Sequence, residues 1–178
     1  SLKTMFVDMT SGPRIASGQT PAKRPVFLKP HGVARGTFEV KADIPADLKI
    51  GFFAEPRTYP AWLRISSDTV PFRPDLKTTV GIGMKLFGVP GSKLIGNPED
   101  RTHDIVLQNH DVFFVDNAFE MCAFTKAGVD GTFAGYLAAH PETDRILKEM
   151  EKRVPSALGI SYWSCLPFSL GADLYVKY

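Results

Sequence analysis

A chain of 178 residues with 44% hydrophobic and 22% charged side chains has the composition of one globular domain, able to bury roughly 70% of its unfolded surface. Its net charge of +2 singles out no partner, and basic residues gather no further than Lys23-Arg24, so a nucleic-acid surface is not expected. No apolar run approaches the ~20 residues of a membrane-spanning helix, and the first residues lack the regions of a secretory signal.

Residues 1–24 carry Ser, Gly, Pro and Thr without a period and predict an extended N-terminal arm that packs on something else or stays mobile. From Val33 the texture changes. Residues 33–40 read as a strand, 41–47 as a polar turn holding Pro45, and 48–53 and 61–66 as two short apolar runs. Between those runs, 55–60 reads as a loop with two prolines. Residues 80–87 predict another strand, whose Gly81 and Gly83 would bare the backbone on one face for something to approach closely. Residues 104–108 and 112–115 are short, β-branched or aromatic segments around Asn109-His110-Asp111.

Further along, 118–126 and 132–139 predict helices. The clearest helix is 142–153, with Ile146, Leu147 and Met150 on one side and Pro155 after it. Residues 160–178 return to a strand-like, aromatic pattern. The two cysteines, Cys122 and Cys165, sit in apolar surroundings and predict buried thiols, hence a reducing intracellular compartment such as the cytosol or a mitochondrion. They and the four histidines do not supply the close ligand spacing of a zinc site. Together the elements predict an α+β protein, an antiparallel β-barrel or sandwich with a few flanking helices.

Three stretches, in order, carry a resemblance. The first is Lys29-Pro30-His31-Gly32 followed by Gly36-Thr37-Phe38-Glu39-Val40. The second runs through Gly51-Phe52-Phe53 and Arg57-Thr58-Tyr59-Pro60-Ala61-Trp62-Leu63-Arg64-Ile65-Ser66 to Gly81-Ile82-Gly83-Met84-Lys85-Leu86. The third is Gln108-Asn109-His110-Asp111-Val112-Phe113-Phe114, with Tyr162-Trp163-Ser164 and Val176-Lys177-Tyr178 later. Over residues 24–178 this series resembles the haem catalases, and most of all the small catalase-related proteins.

The resemblance implies a catalase-like antiparallel β-barrel over residues 25–178, complete or incomplete. In that family a tyrosinate from an Arg-x-x-x-Tyr helix holds the haem iron. A distal histidine moves the peroxide proton, an asparagine holds the peroxide, and a serine orients the histidine. Carried over by position, Asn109 falls at the distal asparagine, Arg64 and Ser66 match an Arg-x-Ser step, and Phe114 matches a pocket aromatic. Arg24 and Arg64 fall where haem propionates would be met. Arg24-Pro25-Val26-Phe27 stands where the family has Arg-Val-Val-His, so Phe27 replaces the distal histidine.

His31 would lie about 13 Å further along an extended chain, at ~3.3 Å per residue, too far to take over the proton. It reads as structural; His103 and His110 are the next candidates, and His140, beside Pro141, reads as a surface residue. Val80 stands where the family has an arginine. No Arg-x-x-x-Tyr motif occurs in a helical pattern, Tyr136 and Tyr162 read as core aromatics, and the resemblance would place the proximal segment beyond Tyr178. Each pocket residue also has a plainer reading: Asn109 as a turn cap, Arg64 as an ion-pair or backbone partner, Ser66-Ser67-Asp68 as the start of a loop, Phe27 and Phe114 as core.

The leading expectation is therefore a catalase-like pseudoenzyme, a non-catalytic structural or accessory subunit partnered by other protein subunits and holding no cofactor. The alternatives are a haem-dependent hydroperoxidase acting on hydrogen peroxide or lipid hydroperoxides, with haem b in an intact pocket, and a binder of haem or another apolar ligand.

Overall fold

Alternation along four strands organises the molecule. The computed structural model describes residues 2–21, 23–67 and 74–178. Strands β1 (Lys29–Val40), β2 (Arg57–Ser67), β3 (Val80–Phe87) and β4 (Thr102–Gln108) form an antiparallel meander, and the two-residue β5 (Trp163–Ser164) adds to β4. One sheet face carries Tyr59, Ala61, Leu86 and Ile105, buried with Val40 and Val89 against Phe38, Phe52 and Phe53. Leu86 is fully buried and Tyr59 nearly so; each such side chain contributes about 1.5–3 kcal/mol by leaving water. Tyr59 keeps its hydroxyl satisfied by donating to the Phe52 carbonyl at 3.2 Å.

The other face carries the alternate residues. In register these are the rows Arg35–Trp62–Lys85–Asp104 and Val33–Arg64–Gly83–Val106, followed by Ser66–Gly81–Gln108. Three helices follow: α2 (Ala118–Asp130), α3 (Phe133–Ala139) and α4 (Pro141–Met150). Asn117 starts α2 by accepting from the amides of Phe119 and Glu120, and Gly131, at φ +73°, ends it in a left-handed turn that glycine adopts without penalty. Pro141 opens α4, where its missing N–H costs nothing, and Ile146 and Met150 bury its inner side. Strands β6 (Phe168–Leu170) and β7 (Leu174–Val176) make a separate hairpin.

The protein is thus α+β with antiparallel sheets, and among the described residues no closed barrel forms. Closure fails because β5 offers only two residues to β4, while β6 and β7 pair with each other and leave β1 without a second neighbour.

Several expectations are corrected. The first part of the N-terminal segment is helical rather than extended: a π-helical stretch, Thr4–Ser11, runs into α1 (Gly12–Ala16). The hydroxyls of Thr10 and Ser11 return to the Phe6 carbonyl at 2.7 and 2.8 Å, and Pro13 sits in the first turn of α1, so the Ser, Thr and Pro that read as arm residues support helix here. Residues 57–60, read as loop because of Pro56 and Pro60, form the first part of β2. Residues 48–53, read as a short apolar run, hold the end of one single helical turn, Ala46–Leu48, and the whole of a second, Gly51–Phe53. Residues 112–115 form no strand; the Val112 carbonyl accepts from the Gln108 side chain, and the Phe113 and Phe114 rings lie tilted with centroids 4.4 Å apart. Asp68, expected in a loop, lies outside the described residues.

Candidate functional site

The open face of the sheet is a cleft of about 850 Å³. Its floor is the strand pattern itself. Trp62, Arg64 and Ser66 alternate up β2, Gly81, Gly83 and Lys85 up β3, and Asp104 and Val106 up β4, all reaching one side. Val33 is 63% exposed, Val106 53% and Trp62 43%, an apolar surface that no other element covers among the described residues. Arg35 lies across Trp62 with its guanidinium carbon 4.5 Å from the ring centre, and Lys85 pairs with Asp104 at 2.5 Å.

The segment before β1 closes one end. Arg14, in α1, donates to the carbonyls of Lys23 and Arg24 at 3.0 and 2.6 Å, and Arg24-Pro25-Val26-Phe27 then line the cleft. Phe27 has φ +51°, a left-handed backbone that a bulky side chain rarely adopts. Two contacts hold it there. Arg64 donates from Nη2 to the Phe27 carbonyl at 2.8 Å, and the Phe27 ring lies over Gly81. A Cβ at residue 81 would come within 2.7 Å of the ring and 2.9 Å of the Leu107 carbonyl oxygen. What approaches the bare backbone of Gly81 is therefore the protein's own phenylalanine, whereas Gly83 faces open space.

Arg64 also donates from Nη1 to Ser66 Oγ at 2.6 Å. Burial, with the neighbouring Arg24 as the second cause, lowers its pKa from the ordinary value. It stays charged, and its two nearest acceptors are internal, which makes it a brace for the Phe27 turn.

Of the residues predicted for a distal pocket, the structure places Phe27 and Ser66 on this cleft, together with the two predicted propionate contacts Arg24 and Arg64, and leaves Asn109 and Phe114 out. The Asn109 amide is consumed by backbone: Oδ1 accepts from the Val80 amide at 3.1 Å and Nδ2 donates to the Met150 carbonyl at 2.9 Å. It ties the start of β3 to the end of α4. The Phe114 ring packs on Phe124 at 4.8 Å, and its carbonyl accepts from Thr143, within the helical cluster. Val80, at the position where the family has an arginine, is fully buried.

None of the four histidines lines this cleft. His31 Nε2 lies 2.8 Å from Ser67 Oγ and borders a second, polar depression. His103 points to the core side, its ring 4.7 Å from Phe52, and burial lowers its pKa. His110 is held between the Val112 carbonyl and Glu149 at 3.1 and 3.0 Å. His140 is half-buried rather than a plain surface residue, stacked 3.9 Å over Tyr136. Tyr162 donates to the Ala157 carbonyl at 2.7 Å and Tyr136 to Glu120 at 3.3 Å, so both tyrosines are occupied structurally. Cys122 and Cys165 are both half-buried and not joined to each other; the Cys165 thiol donates to Gln108 Oε1 at 3.6 Å, and burial raises its pKa.

A haem in the cleft would meet no tyrosine, histidine or cysteine side chain. The lining of this cleft therefore offers neither an axial tyrosinate nor a proton-moving histidine of the kind the catalase family uses. The residues the sequence reading did not single out for the site are Trp62, Lys85, Asp104, Val33 and Val106. Strand parity with Arg64 and Ser66 was the signal that could have found Trp62. Compared with known proteins, the chain matches no family model and no curated protein.

Proposed function

We propose that the chain is a catalase-like pseudoenzyme, a non-catalytic accessory subunit that works with other protein subunits in a reducing intracellular compartment. The observation that carries this reading is the Phe27 ring, seated over Gly81 at the position where the resemblance requires a histidine, with no other histidine on the cleft. A phenyl ring neither takes nor gives a proton, so the acid–base step of peroxide cleavage has no agent there.

A second reading rests on the cleft itself. Its exposed valines and Trp62, with the bare backbone of Gly83 between them and Arg24 at one end, suit a flat apolar molecule with an acidic group. Adding haemin to the purified protein and following the Soret band beside peroxide decomposition tests both. The pseudoenzyme reading expects peroxide loss no faster than haemin alone gives, and turnover well above that level would overturn it. Saturable binding without turnover supports the ligand-binding reading.

A further inference from the structure

The free edge of β1 points to its partner. We infer that β1 pairs antiparallel with β1 of a second copy, joining two sheets across a two-fold axis at Thr37. Among the described residues β1 is bonded only to β2, and residues 32–37 and 39 are exposed. An edge strand left this long is a template for another strand unless it is blunted by proline, lysine or a bulge. Here the proline and the register shift lie at Pro30 and Gly32, before the stretch from Ala34 to Val40, which carries neither.

Side-chain charge selects the register. A two-fold at Thr37 sets Arg35 opposite Glu39 of the second copy, and Glu39 opposite its Arg35. Both residues are exposed and share the open face of the sheet, so the pairing meets charge with opposite charge twice. The nearest alternatives lose this. An axis at Arg35 sets that residue against itself, one at Phe38 sets it against Lys41, and one at Gly36 sets it against Thr37. On the other face the chosen register places Phe38 over Gly36, a large side chain over a bare one, and Val40 beside Ala34. An isologous contact of this kind closes on itself and leaves no further β1 edge to recruit a third copy.

The inference rests on the accessory-subunit reading and names its partner, yet the two fail separately. Peroxide turnover would sink the pseudoenzyme and leave the edge pairing standing; a monomer would sink the pairing and leave the peroxide result as it is. The experiment is sedimentation of the whole chain at micromolar to tens of micromolar concentration. The expected species has twice the chain mass of 19.6 kDa. Glu39→Arg, which sets Arg against Arg twice, should weaken self-association by at least about tenfold with the far-ultraviolet spectrum unchanged. Adding Arg35→Glu to that variant should restore it. A persistent 19.6 kDa monomer overturns the proposal, and so does a dimer or larger species indifferent to both charge changes.

Discussion

The ring of Phe27 lies so close over Gly81 that a single Cβ added at 81 would stand 2.7 Å from ring atom Cε1. This contact couples the segment before β1 to the start of β3. Gly81→Ala should lower stability by about 1–3 kcal/mol, the usual cost of overpacking, measured by urea denaturation. In a Phe27→Ala background the same change should cost less, because the ring is gone. It should still cost something, because the Leu107 carbonyl oxygen also stands 2.9 Å from that Cβ. Equal costs in both backgrounds would mean that ring and glycine are not coupled.

Arg64 braces the same turn from beneath. Its two bonds, to the Phe27 carbonyl and to Ser66 Oγ, come from two different nitrogens of one planar group. Arg64→Met should cost about 1–3 kcal/mol by leaving both acceptors without their charged donor. Arg64→Lys should recover only part of this, since a point ammonium does not reproduce the guanidinium fork. Full recovery by lysine would show that charge alone, and not the fork, holds Phe27 at its positive φ.

These two contacts also mark how far the sequence is readable. Period-two alternation makes β1, β3 and β4 legible, and the spacing of Ile146, Leu147 and Met150 does the same for α4. Parity puts Arg64 and Ser66 on one face. Proline misleads at Pro60, which reads as a loop yet sits in β2 opposite Thr37. The N-terminal helix is illegible because its hydroxyl residues Thr10 and Ser11 support it only by donating back to the Phe6 carbonyl, four and five residues earlier. Asn109 is the instructive failure. Resemblance assigns it to a pocket by position, but position does not reveal that two backbone groups, distant in sequence, use both ends of its amide.

Asn109 therefore acts as a staple between β3 and α4, and its variants should report on folding. Asn109→Ala orphans the amide of buried Val80 and the carbonyl of buried Met150, so it should cost about 1–3 kcal/mol for each group left unpaired. Asn109→Asp keeps an acceptor for Val80 but turns a carboxylate toward the Met150 carbonyl. Protonated, that carboxyl can donate to the carbonyl instead, so its folded pKa is raised. The stability this bond supplies is present below the unfolded pKa of about 4 and is lost as pH rises through the folded value. Denaturation at several pH values should show the Asp variant falling further behind the wild type as pH increases.

His103 should make the wild-type chain itself acid-sensitive. Its imidazole stands against Phe52 on the core side of β4, and burial lowers its pKa from the ordinary 6.5; Asp104 opposes the shift and Lys93 adds to it. The folded protein therefore binds this proton less readily than the unfolded chain does. The sign follows: the stability associated with a neutral His103 is fully present above the unfolded pKa, begins to fall as pH drops through about 6.5, and is gone below the folded value. The midpoint of urea unfolding should decline between pH 7.5 and pH 5 by more in the wild type than in His103→Gln, which cannot take up a proton. His103→Phe keeps an aromatic contact with Phe52 and should flatten the same slope with a smaller loss of stability at neutral pH. A slope unchanged in both variants would place the acid sensitivity elsewhere.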